Sequence, residues 1–333
     1  MQGELVRWGV IGCAGIAVRQ VIPAIQCSKT GTVTAVASRS PVKARQTAAE
    51  FGVRKAYDSY EKIVEDPDID AVYIPLPNHL HREWTIRAAQ AGKHVLCEKP
   101  IALNSREAQE MVDVCRACGV RLAEAFMYRY HPRYERIREA VKAGEIGEIR
   151  TLHGAFSFNN AKDLDNIRYQ SEMGGGSIYD VGCYPINAAR FLLEQEPIAV
   201  TAHAMFSTLH DGVDMSATGL LEFEDGVSLT FECGMWSYGS NELRIVGSEG
   251  RIDVPFAYVG KPETLGATIL VHDECRELAV PTVDPYVAEI DDFGRSLIAN
   301  RPQRFDPEES VRNMRVIDAC LESARTHTRV SLV

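Results

Sequence analysis

The chain has 333 residues, more than one hydrophobic core comfortably organises, so two domains are expected. With 46 Asp and Glu against 36 Lys and Arg, the formal net charge is −10. Phosphates repel such a field, and no Lys/Arg run offers a local exception, which excludes nucleic acid and anionic membrane surfaces as partners.

No apolar stretch is long enough to span a bilayer. The opening Met1-Gln2-Gly3-Glu4-Leu5-Val6-Arg7 lacks the basic-then-apolar pattern of a secretory leader. The nine cysteines are odd in number and scattered through expected strands and helices, so they read as reduced thiols of a cytoplasmic protein. Cys115 and Cys118 form a C-x-x-C pair inside a helical pattern with no second pair near, and packing explains them. His79 and His81 share a loop, but no acid or third histidine stands at a ligand spacing. No metal is expected.

In chain order, 6–11 is a buried-strand run and 16–26 has helical spacing. The β-branched 32–38 is a second strand. Segment 41–51 is a helix with Pro41 in its first turn and Gly52 at its end. Segment 70–74 is a strand, 83–91 a helix closed by Gly92, and 94–97 a strand. Ser105 is expected to cap a helix running to Gly119, with 120–123 as a further strand. This alternation means crossover units and a parallel sheet. After about Glu124 the texture changes. A helix over 132–143 precedes alternating runs at 149–158, 198–207, 217–223, 227–236 and 242–246, interrupted by a helix over 178–194. Short turns such as Glu224-Asp225-Gly226 indicate antiparallel pairing. Helices over 286–299 and 307–326 close the chain. Domains are expected at 1–124 and 125–333.

The turn after the first strand reads Gly12-Cys13-Ala14-Gly15-Ile16-Ala17. The fingerprint G-x-G-x-x-G/A falls on Gly12, Ala14 and Ala17: Gly12 for the tight turn, Ala17 for close helix–strand packing. The helix start that follows offers free N–H groups and a positive dipole end to a pyrophosphate. Ala14 replaces the middle glycine, and Gly15 is expected to supply the missing freedom. A turn that follows a strand and opens a helix is the context a dinucleotide site requires. An NAD site usually carries an acid about 20 residues further on. Here the second strand ends in Ser38-Arg39-Ser40, with Lys43 on the next helix. A guanidinium fork with two hydroxyls suits a 2′-phosphate, so NADP(H) is preferred, with NAD(H) as the alternative.

Two more segments stand at strand ends, where open parallel sheets bind ligands. Pro75-Leu76-Pro77-Asn78-His79-Leu80-His81 follows one strand, placing Pro75, Leu76, Asn78 and His81 near the cofactor. Glu98-Lys99-Pro100 follows the next, placing Glu98 and Lys99 beside a nicotinamide. The proline is also a place where a cis bond can aim the lysine; the isomer is not legible in sequence.

The turn, the Pro-x-Pro-Asn-x-Leu-His segment, the Glu-Lys-Pro triplet and the alternating second half together resemble the Gfo/Idh/MocA family over nearly the whole chain. The resemblance implies an α/β chain: an N-terminal Rossmann parallel sheet, then an α+β domain with a large, open, mainly antiparallel sheet used for substrate and for oligomer contacts. A homodimer or homotetramer is therefore expected. The family's second motif is usually Asp followed four residues later by His. Here Asp180-Val181-Gly182-Cys183-Tyr184 carries Tyr instead, which resembles the branch of NADP-dependent D-xylose dehydrogenases, dimeric dihydrodiol dehydrogenases and sugar ketoreductases. The resemblance makes Tyr184 a proton donor or acceptor.

Hydride transfer at a carbinol carbon needs such a relay on the substrate oxygen. A free tyrosine, with a pKa of about 10, is a weak base at neutral pH, and a cationic Lys99 nearby would favour its phenolate. Lys99 can also hold the substrate oxygen directly, so which of the two moves the proton stays open. Asp180 and Tyr184, four apart, share a helix face, and Asp180 is a candidate to orient a substrate hydroxyl or Lys99. Arg168 and Tyr286 are further candidates for cofactor or substrate. Phe158, Met127 and Tyr128 are candidate walls. Each has a packing alternative: core tyrosines, a helix-start acid, a surface arginine. The expected activity is NADP(H)-dependent oxidation of a small polyhydroxylated substrate, an aldopyranose such as D-xylose or D-glucose at C1. Keto-sugar reduction, trans-dihydrodiol oxidation, a cofactor-binding regulator and an NAD-holding glycosidase are the competitors. The pair Lys99 and Tyr184 speaks against the regulator, and Ser38-Arg39 against the glycosidase.

Overall fold

In the computed structural model, which describes residues 5–333, the alternating first third closes into a parallel sheet. Its strands are β1 (Val6–Ile11), β2 (Gly31–Ala37), β3 (Lys55–Tyr57), β4 (Ala71–Ile74), β5 (His94–Glu98) and β6 (Leu122–Ala125), in the order β3-β2-β1-β4-β5-β6. Every neighbouring pair is parallel. The order reverses between β1 and β4, and the carboxyl ends of those two strands flank the crevice where such sheets bind ligands. The crossovers are α1 (Ile22–Cys27), α2 (Pro41–Phe51), α3 (Glu61–Val64), α4 (His81–Gln90) and α5 (Ser105–Ala117). β4 is buried along its whole length, as a strand covered on both faces must be.

Several details depart from the sequence reading. β3 and α3 are three and four residues long, too short to show a period. The first helix opens with a wide π-type turn over Ala17–Val21, in which the Ile22 N–H reaches back to the Ala17 carbonyl. Pro23, with no N–H of its own, follows directly. Asn104, not Ser105, caps α5: its side chain accepts the Glu107 N–H at 2.9 Å, and Ser105 is the first helical residue.

Two compact units divide the chain. The first runs through Tyr130 and takes back Asp284–Val311; the second is His131–Val283 with Arg312–Val333. A single boundary near 124 misses this return. Its cause is α8 (Pro285–Ile298), whose apolar face joins the core of the first unit: Phe293 packs on Trp8 at 5.7 Å, beside Ile290 and Leu297. Ser28 also donates to Asp291 at 2.6 Å.

The second unit contains α6 (Pro132–Lys142), β7 (Ile149–Asn159), α7 (Cys183–Leu193), β8 (Ala199–Phe206), β9 (Asp214–Glu222), β10 (Ser228–Gly234), β11 (Trp236–Gly247), β12 (Gly250–Pro255), β13 (Thr268–Val271), β14 (Glu274–Glu277), most of α9 (Glu308–Thr326) and β15 (Val330–Ser331). Nine strands form one sheet in the order β14-β13-β12-β11-β7-β10-β9-β8-β15. All its pairs are antiparallel except β7 with β10, so the sheet is mixed and mainly antiparallel. No helix among the described residues is long and apolar enough to cross a membrane.

Candidate active site

In the first unit the chemistry-bearing segments leave the ends of β1, β2, β4 and β5. Gly12 has φ +114°, and a Cβ there would lie 2.9 Å from Leu76 Cδ2, so only glycine lets the turn pass the Pro75-Leu76 loop. Its N–H donates to the Ala37 carbonyl at 3.0 Å, tying the turn to the end of β2. Gly15 does not use left-handed freedom, contrary to expectation; a Cβ there would meet only the mobile tip of Arg19. Cys13 is buried, donates to the Ala37 carbonyl at 3.6 Å and has its thiol pKa pushed up by burial, so its side chain packs. Ala17 is fully buried.

At the end of β2, Ser38 is buried and its hydroxyl accepts the Ser40 N–H at 3.2 Å. Ser40 caps α2, accepting the Lys43 N–H at 3.4 Å. Arg39 and Lys43 are exposed. Two cations thus flank a capped helix start where an adenosine ribose is held in this fold.

His81 is fully buried, with Nδ1 2.9 Å from the Pro100 carbonyl and Nε2 2.8 Å from the Leu76 carbonyl. Burial pushes its pKa down to about 4. A neutral imidazole donates to one of the two carbonyls, an imidazolium to both, and in neither state is a ring nitrogen left for a ligand. His81 therefore fills the space between the Leu76 loop and the Lys99-Pro100 turn and, when neutral, bonds one of them. The Lys99-Pro100 peptide bond is cis. Lys99 and Glu98 are half-buried. Glu98 accepts the Tyr73 hydroxyl at 2.5 Å. Tyr286 lies in the core of the first unit, its hydroxyl pKa raised by burial and by Glu98. Met127 and Tyr128 are likewise buried in the first unit.

The sequence reading missed Glu124, buried at the end of β6, which accepts the Ile101 N–H at 2.9 Å and so holds the chain just past Lys99. An acid in the apolar run after β5 was the available signal.

In the second unit the segment 168–184 gathers the other candidates. Arg168 Nε donates to Asp180 Oδ2 at 2.6 Å and its guanidinium lies 5.8 Å from the centre of the Phe158 ring. Asp180 keeps Arg168 firmly protonated, against the opposing effect of burial, with smaller contributions from Tyr169 and Tyr184. Asp180 is therefore the partner of Arg168. Tyr184 is buried, its ring 5.2 Å from Phe156 and 5.5 Å from Tyr258. Phe156 and Phe158, two apart on β7, share a sheet face, and the wall against Tyr184 is Phe156. Sequence reasoning did not find Phe156, Tyr258 or the residue that places Tyr258, Arg133. That guanidinium is 1 % exposed and donates to the carbonyls of Pro255, Phe256, Ala257 and Gly266.

Among the described residues no group of three His, Cys, Asp or Glu side chains converges as a metal site. All nine cysteines are free thiols.

A doubly wound parallel sheet with a glycine turn at its switch point, followed by a mixed-sheet unit carrying an acid–tyrosine helix, defines a dinucleotide-dependent oxidoreductase architecture. The comparisons are specific. Residues 6–126 match the oxidoreductase family with an NAD-binding Rossmann fold, GFO/IDH/MocA, and residues 134–253 match the C-terminal domain of that family. The chain belongs to the Gfo/Idh/MocA oxidoreductases. It is 39 % identical to D-xylose 1-dehydrogenase (NADP(+)) 2 of Haloferax volcanii, over 98 % of this chain and 99 % of that one. It is 34 % identical to the dTDP-3,4-didehydro-2,6-dideoxy-alpha-D-glucose 3-reductase of Actinomadura kijaniata, over 96 % of each. A 3-ketoreductase structure from the same organism, in complex with NADP and TDP-benzene, superimposes with a TM-score of 0.91 at 33 % identity, covering 96 % of this chain and 98 % of that one.

Proposed function

We propose that the protein is an NADP(H)-dependent sugar dehydrogenase that transfers hydride between nicotinamide and C1 of an aldopyranose such as D-xylose or D-glucose. The observation that carries this reading is the end-to-end similarity to an NADP-dependent D-xylose 1-dehydrogenase. The first unit fits the cofactor: the Gly12 turn admits no Cβ, and the end of β2 presents Arg39 and Lys43 with no carboxylate among Ser38, Arg39 and Ser40. In this reading the first unit is the dinucleotide-binding unit and the second the substrate and oligomerisation unit.

The first-turn N–H groups from Ala14 to Ala17 hold the pyrophosphate. Arg39, with Ser38, Ser40 and Lys43, holds the 2′-phosphate. Pro75, Leu76 and Asn78 wall the nicotinamide side, and His81 fixes that loop. Held there, a nicotinamide would supply the hydride acceptor or donor. Lys99 donates a hydrogen bond to the reacting oxygen, and Tyr184 takes or gives its proton. Arg168 attracts the developing phenolate charge, and Asp180 holds Arg168 and a substrate hydroxyl.

The test follows NADPH absorbance with wild type and Lys99→Ala against pentoses, hexoses, inositols and a trans-dihydrodiol. Turnover with NADP and a pyranose, lost in the variant, supports the reading. Turnover only as reduction of a keto-sugar moves the protein to the second reading, which the similarity to the 3-reductases favours.

We also propose a homodimer or homotetramer. The nine-stranded sheet has a broad open groove of about 860 Å³ on one face, its lining more apolar than polar and including Ala155, His203, Leu220, Thr230 and Arg244. Light scattering that finds a monomer at micromolar concentration contradicts this.

A further inference from the structure

We propose that Asp214 is a positioning residue for the reaction, its buried ionised carboxylate fixing the turn from which Asp180 and Tyr184 are presented. The inference rests on the reading that those two residues serve the chemistry.

Asp214 opens β9 and is 2 % exposed. Its Oδ2 accepts the Ser177 hydroxyl at 2.7 Å and the Ile178 N–H at 2.8 Å, the latter at the very start of the helix that runs through Asp180 into Tyr184. Gly176 has φ +123°, and a Cβ there would fall 2.2 Å from Asp214 Oδ1, so only glycine lets the turn lie on the carboxylate. Gly176 in turn donates its N–H to the Arg168 carbonyl and accepts the Asp180 N–H, each at 3.0 Å. One carboxylate thus supports a turn bonded to both members of the Arg168–Asp180 pair.

A charged acceptor at a helix start is favourable and bonds more strongly than a neutral one. The other titratable groups facing Asp214 are Cys233 on β10 and Cys320 on α9, both thiols pushed up by burial and then by the carboxylate, hence neutral. Burial opposes the charge more than the Ser177 and Ile178 donors favour it, and the Asp214 pKa is pushed up to about 6. The sign follows. The unfolded carboxyl titrates near about 4, so this group's contribution to stability is full below that pH and is lost as pH rises through about 6.

The experiment compares wild type, Asp214→Asn and Ser177→Ala between about pH 5 and about pH 8. Wild-type kcat should fall on the acid side with an inflection near the Asp214 titration. Asp214→Asn should lose that inflection and run about tenfold to hundredfold slower, the range expected of a misplaced group, with KM for NADP unchanged. Ser177→Ala removes a donor to the carboxylate and should move the inflection upward, which keeps the proposal testable if the first variant folds poorly. An unmoved inflection in Ser177→Ala, or wild-type kcat in Asp214→Asn, overturns the inference while leaving the dehydrogenase reading intact. Absence of turnover in wild type sinks that reading instead, and amide exchange then decides. Protection of residues 177–181, corrected for intrinsic rates, should rise on acidification in wild type, because protonation removes a buried charge, and should stay level in Asp214→Asn. The same protection at every pH overturns the role of the charge.

Discussion

Lys99 in the first unit and Tyr184 in the second stand on different kinds of support. Lys99 follows β5 directly, and its neighbourhood is tied to backbone groups: His81 sits between the Pro100 and Leu76 carbonyls and donates to one of them, and Glu124 accepts the Ile101 N–H. Tyr184 stands in a helix whose start rests on Asp214 and whose aromatic wall, Phe156 and Tyr258, is set by β7 and by the Arg133 clamp. In a parallel sheet the strand end itself aims the residue, and the supporting groups are few and local. A helix laid across a mixed sheet takes its position from strands far away in sequence.

The largest expected effects test whether both supports serve one reaction. Tyr184→Phe keeps the ring that packs on Phe156 and Tyr258 and removes only the hydroxyl. Loss of general acid–base catalysis should lower kcat by about 10²–10⁴-fold. Lys99→Ala should lower it by a similar factor. If one variant keeps kcat within about twofold while the other collapses, the surviving residue is not the proton-transfer group, and the comparison reduces to one unit.

Next in size is the clamp. Arg133→Met fills the space but leaves the carbonyls of Pro255, Phe256 and Gly266 without this donor, while Ala257 keeps Tyr134. Unsatisfied buried acceptors cost about 1–3 kcal/mol each before relaxation. At roughly 2–4 °C per kcal/mol, a fall in the melting midpoint on the order of 10 °C follows. Calorimetry should show it, with NADP affinity, a property of the first unit, unchanged. A midpoint close to wild type means that the 255–258 segment is held by Tyr134, whose hydroxyl donates to the Ala257 carbonyl at 2.7 Å, and by other packing.

The same contrast explains what was legible in the sequence. The strand-end segments are contiguous, so Gly12 to Ala17, Ser38 to Ser40, Pro75 to His81 and Glu98 to Pro100 could be read as words. Asp180 and Tyr184 were picked out by the family resemblance, and helix spacing then related the two. Asp214 and Arg133 were not: one opens an ordinary alternating strand and the other follows a histidine and a proline, with partners 36 to 133 positions away. Arg168 carried a weak signal because a lone arginine before a glycine loop has no period. The return of α8 to the first unit was invisible for a related reason. Its apolar face shows that it packs, not against what.

The glycine turn sharpens the first-unit side of the comparison. Gly12→Ala forces a Cβ to within 2.9 Å of Leu76 at φ +114°. Strain of about 1–3 kcal/mol should appear as roughly a tenfold to hundredfold loss of NADP affinity. Gly15→Ala meets only a flexible arginine tip and should weaken binding far less. Equal losses in isothermal titration would mean that ligand approach, not backbone conformation, sets the turn.

Cofactor choice is the smallest effect and the one most confined to a single unit. Arg39 and Lys43 are both exposed, so neither gains much from burial. A planar guanidinium can bond two phosphate oxygens at once, whereas an ammonium acts as a point charge. Charge-assisted hydrogen bonds contribute about 1.5–3 kcal/mol, so Arg39→Ala should raise the KM for NADP by about tenfold or more and leave that for NAD unchanged. Lys43→Ala, losing an exposed ion pair of at most about 1 kcal/mol, should raise it by only a fewfold, and added salt should erase that difference. Parallel kinetics with the two cofactors at low and high salt separate the cases. If Arg39→Ala raises both KM values alike, Arg39 acts on the adenosine or on the α2 start. Selectivity for the phosphate would then rest on the hydroxyls of Ser38 and Ser40, which bond the turn and cap α2.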